Sequence, residues 1–112
     1  MWTEALYTAE EMKHAEAGHD VPTLMQRAGR AVAEEALFRR LAYGRLERFG
    51  AAVAIVGSAL LFGLVHLPAY GPAALPVDVG AGLLFGWQRW ASGTWTVPAA
   101  THAFANALVV LR

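Results

Sequence analysis

The distribution of charge constrains this chain more than any other feature. Residues 49–77 contain no Asp, Glu, Lys or Arg, and neither do residues 90–111. Residues 50–112 carry only Asp78, Arg89 and Arg112, whereas residues 1–49 carry seven basic and eight acidic side chains. A stretch so poor in charge cannot form a fully water-facing surface, so it must be covered by other helices or by lipid. Run length decides between the two. Residues 50–67 are eighteen apolar or small residues interrupted only by Ser58 and His66. At about 1.5 Å per residue such a helix approaches the ~30 Å of a bilayer core.

Pro68 is expected to end this helix and residues 70–76 to form a loop. Two further apolar helices are expected, over about residues 77–90 and 95–111. The first contains Gly82 and Gly86 at the spacing that lets helices approach closely in lipid. Tyr70, Trp87, Trp90 and Trp95 fall near the ends of these segments, where amphipathic rings favour the membrane–water boundary. Arg39, Arg40, Arg45 and Arg48 precede the first apolar run, which places the N-terminus in the cytoplasm by the positive-inside rule; Arg89 returns to the same side after two crossings. The expectation is a multi-pass membrane protein.

The N-terminal part is of another kind. Thr8 and Glu11 form a capping-box pattern for a short helix to about residue 17, with Glu4, Glu10 and Glu11 standing where a signal peptide would need an apolar core. Gly18 to Pro22 breaks it. A second helix, from about residue 22 to 41, has an apolar stripe through Leu24, Ala28 and Ala31 and a polar remainder, so it is amphipathic rather than membrane-spanning. The fold class is therefore all-α: short amphipathic N-terminal helices followed by about three membrane helices. The domain boundary is expected at 33/34, with residues 1–33 as the amphipathic segment and 34–112 as the membrane domain. Zero net charge argues against a nucleic-acid partner, and the absence of cysteine removes disulfides, thiolate metal sites and cysteine nucleophiles.

Function is sought in the polar residues that the apolar helices retain. His66 lies in the first, and His102 and Asn106 in the third, one turn apart on one face. Polar groups in membrane helices are costly and mark functional interiors. Glu34 and Glu35 are candidate partners. Arg39 can fix Glu35 at i,i+4, leaving Glu34, rotated by about 100°, to serve with an imidazole as a general base for water. His102 and Asn106 can then stabilise an oxyanion. Ser58 and His66 are eight residues apart on one helix, about 12 Å in rise, so they are not a nucleophile and base, and Ser58 is read as small-residue packing. Asp78 is read as an interfacial cap, and His14, His19 and Asp20 as solvated or turn residues.

These residues fall into three motifs. Glu34, Glu35 and Arg39 match EExxxR, Phe62 and His66 match FxxxH, and His102 and Asn106 match HxxxN. In order and spacing they resemble the CAAX protease and bacteriocin-processing (Abi) family of intramembrane endopeptidases, over residues 34–112. The resemblance implies a membrane peptidase in which Glu34 activates water beside His66, His102 and Asn106 hold the oxyanion, and Glu35, Arg39 and Phe62 support them. The family's domain normally has more membrane helices, so residues 34–112 read as a shortened one. No cofactor is expected. A divalent ion on Glu34, His66 and His102 is the alternative to a metal-free site, which is preferred because HExxH is absent. The implied partners are a peptide or protein substrate in or near the membrane and the bilayer itself; an oligomer is compatible with both. Residues 6–35 separately resemble the N-terminal helices of NAD(P)H-hydrate epimerases, whose phosphate loop and catalytic Asp have no counterpart here. A non-catalytic membrane binding or immunity protein and a fragment of that soluble epimerase are the competing readings.

Overall fold

The computed structural model describes residues 21–111. The expected helix before residue 17 and residues His14, His19 and Asp20 lie outside them. Every regular element among the described residues is helical, as the all-α expectation requires. Helix α1 spans Val21–Glu35 and continues as a π-helical stretch, Ala36–Ala42, then as the short α2, Tyr43–Leu46, and a 3-10 turn, Glu47–Phe49. Helix α3 spans Ala51–Tyr70, α4 Leu75–Ser92 and α5 Thr96–Leu111. Helix α1 runs across the 33/34 boundary without a break.

Sequence signals locate the helix ends with small shifts. Pro68 was expected to end α3, but the helix continues to Tyr70. Pro68 has no N–H to give the Leu64 carbonyl, so the last turn of α3 lacks that one backbone bond. The stop is Gly71, whose φ of 78° only glycine adopts without strain, and whose N–H donates to the Leu67 carbonyl at 2.8 Å. The loop expected through residue 76 is shorter: Pro72–Ala74 form a 3-10 turn, and Pro76 sits in the first turn of α4, where its missing N–H costs nothing.

Helices α3 and α4 make the most extensive contact, and α5 packs on α1. Small residues set the first of these. A Cβ on Gly82 would lie 2.8 Å from the Ala59 Cα, and one on Gly86 would lie 3.3 Å from the Ile55 Cα, so the paired glycines let α4 lie against the α3 backbone. Ser58 is buried in α3, its hydroxyl donating to the Ile55 carbonyl at 3.2 Å. The outer side of α3 presents Val53, Val56, Leu60, Leu61, Leu64 and Val65, between 44% and 59% exposed. Among the described residues α3 is the one helix long and apolar enough to cross a membrane. Trp87 and Trp90 are more than half exposed near the end of α4.

Candidate active site

The π-helical stretch controls the geometry around Arg39. A π turn shifts the backbone hydrogen bonds by one residue, and the Tyr43 N–H goes to the Phe38 and Arg40 carbonyls. The Arg39 carbonyl, its ordinary α-helical acceptor, is bypassed. Arg89 of α4 takes it instead, donating from Nε at 3.2 Å, with its guanidinium 4.7 Å from the Tyr43 ring centre. One cation thereby clamps the irregular segment onto α4.

Arg39 itself is fully buried. Its Nε stands 3.4 Å from Glu35 Oε1, and its Nη2 donates to the Gly82 carbonyl at 2.7 Å. The guanidinium lies 5.0 Å from the centre of the Phe62 ring and 5.4 Å from that of Phe85. Glu35, also 0% exposed, uses its second oxygen on α5: His102 Nδ1 is 2.8 Å from Oε2. Arg39, Glu35 and His102 therefore form one buried chain that ties α1 and its π extension to α4 and α5.

Glu34 belongs to a second pair. Its Oε2 is 2.9 Å from His66 Nε2, while His66 Nδ1 is 2.6 Å from the Phe62 carbonyl one turn back in α3. A carbonyl only accepts, so Nδ1 carries a proton and donates it. Nε2 then faces the carboxylate, and the contact requires one proton shared between nitrogen and oxygen. The Glu34 side chain keeps 23% of its surface open, in contrast to the sealed Glu35. Tyr70 stacks on the imidazole with ring centres 5.6 Å apart and planes 16° apart. Tyr70 was expected at an aromatic belt; it is turned inward because the final turn of α3 continues past Pro68.

Phe62 stands between the two pairs. Its ring centre is 4.2 Å from that of His66 and 6.1 Å from that of His102, and it is 1% exposed. His102 stacks on Phe85 at 4.9 Å. Asn106, one turn beyond His102, is buried, and its Oδ1 has no hydrogen-bond partner among the described residues. The fold thus brings Glu34 to His66 and Glu35 to Arg39 and His102, with Phe62 as the shared wall. Glu34, His66 and His102 do not gather as a ligand set: among the described residues no three His, Asp or Glu side chains form a candidate metal centre.

Three participants were not anticipated. Asp78 is not an interfacial cap. It does occupy the first turn of α4, but its side chain is 1% exposed, because the turn faces into the bundle. It is the one acid in residues 50–112, and the logic that singled out His66 also applies to it. Arg89 and Gly82 act through backbone contacts that no motif spacing announces.

The described helices form an all-α bundle that brings two carboxylate–imidazole pairs into its interior. The sequence matches the Rce1-like type II CAAX prenyl endopeptidases over residues 22–108, and the chain belongs to this Rce1-like family. The family is one of membrane-embedded CAAX-type endopeptidases acting on protein substrates at the membrane. The match takes in residues 22–33, which had been expected to form a separate segment. No curated protein and no solved structure matches the chain.

Proposed function

We propose that this chain hydrolyses peptide bonds of membrane-associated proteins with water activated at Glu34, without a covalent intermediate and without a metal. The observation that carries this reading is the Glu34–His66 contact of 2.9 Å on a partly open carboxylate. Water approaching Glu34 gives its proton to the pair, and its oxygen attacks the scissile carbonyl carbon. Negative charge collects on the carbonyl oxygen. The Asn106 amide and the His102 ring, held at Nδ1 by Glu35, are the donors for it. The pair returns the proton to the departing amine as the C–N bond breaks. Glu35 and Arg39 are positioning residues. The metal-free reading keeps the proton that His66 Nε2 shares with Glu34; an ion bound there would have to replace that proton.

The chain is proposed to cross the membrane more than once, with its N-terminal side cytoplasmic. Arg40, Arg45 and Arg48 remain exposed ahead of α3 and support that orientation; Arg39 is buried and does not contribute to it. Since the chain has no cysteine, single cysteines introduced before and after α3 report sidedness without background.

The test of the mechanism is cleavage of quenched fluorescent peptides in micelles by purified protein. Glu34→Gln and His66→Ala are each expected to lower kcat by about 10²–10⁴. Unchanged rates in both variants refute the assignment. A chelator is expected to leave the rate unaltered, and restoration by a divalent ion after its loss refutes the metal-free site.

A further inference from the structure

An open groove of ≈ 300 Å³ lies on the outside of the bundle, between the π-helical stretch and α3, lined by Leu37, Leu41, Leu61, Val65 and Arg45. Helix register fixes how it runs. The two segments are antiparallel: Glu34 meets His66, the Phe38 and Phe62 rings meet edge-on with centres 5.3 Å apart, and a Cβ on Gly57 would lie 2.7 Å from Leu46 Cδ1. Arg45, beside Leu46, therefore stands at the end nearer the start of α3, and Leu37 and Val65 stand at the other. Eight residues separate Gly57 from Val65, about 12 Å of helical rise. One leaflet supplies about 15 Å of a ~30 Å hydrocarbon core, so the groove is as long as most of a lipid tail's course through one leaflet.

The groove opens on the exposed side of α3, the helix long and apolar enough to cross a membrane. Its leucine and valine sides suit any lipid tail, because tails and leucine side chains are equally apolar. Selection among lipids must come from Arg45. It is the one charged side chain of the groove, it is exposed, and it has no ion pair or hydrogen bond among the described residues. Glu47 is the only acid between residues 36 and 77, and it is turned to Arg89 at 3.9 Å. A free guanidinium at one end of a tail-length groove matches a phosphate, which accepts from its N–H fork in two bonds. The best match is a headgroup with no cation of its own. A neutral isoprenoid chain would leave Arg45 unmatched.

We propose that this groove binds one anionic phospholipid from the leaflet on the side where α3 begins, with its phosphate on Arg45 and one acyl tail along Leu37, Leu41, Leu61 and Val65. The inference rests on α3 lying in a bilayer, which the sidedness assay tests by itself, and not on the cleavage chemistry. The bound lipid covers the seam between α3 and the irregular segment that carries Arg39.

The experiment is native mass spectrometry of the full chain in a neutral detergent, titrated with phosphatidylglycerol, with phosphatidylcholine of identical tails, or with farnesol. One phosphatidylglycerol is expected to be retained at a concentration at least about tenfold below that needed for phosphatidylcholine. Arg45→Gln is expected to bring the two phospholipids within about threefold of each other. Ala42→Leu, which narrows the groove without changing charge, is expected to weaken phosphatidylglycerol at least about fivefold, and serves if the arginine variant does not fold. Arg48 is an exposed cation outside the groove, stacked on Phe49, and Arg48→Gln is expected to leave the preference intact. Equal retention of the two phospholipids overturns the site, as does a preference that survives Arg45→Gln or that Arg48→Gln abolishes equally well. Displacement of phosphatidylglycerol by farnesol at equal concentration also overturns it, because the groove would then select a neutral chain.

Discussion

The buried pair of Glu35 and Arg39 offers the sharpest test of how the bundle is held together. Arg39→Met keeps an unbranched stem and removes the charge. It leaves Glu35, at 0% exposure, without its cation and removes the 2.7 Å bond to the Gly82 carbonyl. Breaking a buried pair from one side costs about 3–5 kcal/mol, because the remaining charge is uncompensated. The lost Gly82 bond, made by a charged donor, adds roughly 1.5–3 kcal/mol, and the surviving His102 contact to Glu35 offsets part of the total. A net loss of about 4–5 kcal/mol is expected. Glu35→Gln keeps an acceptor for His102 and strands Arg39, and a loss of about 3–4 kcal/mol is expected. The double variant buries no unpaired charge and should cost at least about 2 kcal/mol less than the sum of the two. Reversible unfolding in mixed micelles of rising SDS fraction, followed by far-ultraviolet circular dichroism, supplies the cycle. Single losses below about 1 kcal/mol, or strictly additive ones, refute the view that this pair is a matched interior charge.

Gly82→Ala should lower stability by about 1–2 kcal/mol, since a Cβ 2.8 Å from the Ala59 Cα forces α3 and α4 apart, while Gly80→Ala, with nothing within 4 Å, should raise it by about 0.5–1 kcal/mol. The same unfolding assay measures both, and equal effects would mean that helix propensity, not close approach, governs the seam. Phe62→Ala should cost about 3–5 kcal/mol, because the ring packs against His66, His102 and Arg39 together. Asn106→Ala should lower kcat by about 10²–10³ with folding intact, as peptide cleavage and circular dichroism on one sample would reveal.

Much of the bundle is legible in the chain itself. The charge-free runs fix the apolar helices, although the first of them stops at Gly71 rather than at Pro68 and the next already begins before Pro76. The spacing of Glu35 with Arg39 and of His102 with Asn106 places each pair on one helical face. Sequence spacing could not say which carboxylate meets which imidazole. Glu34 and Glu35 are adjacent, and their partners lie 32 and 67 residues away, so the choice depends on how α3 and α5 pack around α1. The bypassed carbonyl of Arg39 was equally hidden, since π turns leave no composition signal.

What the sequence by itself determined is where helices form and which polar residues they carry, because helical periodicity and the exclusion of charge from apolar surroundings are local rules. What only the tertiary structure decided is the pairing: Glu34 with His66 on a partly open face, Glu35 with Arg39 and His102 in a sealed one, and Asp78 turned inward with no hydrogen-bond partner among the described residues. Those pairings follow from how α3 and α5 pack around α1, and packing is a property of surfaces brought together from distant parts of the chain; the same holds for the close approach of α3 and α4 at Gly82 and Gly86.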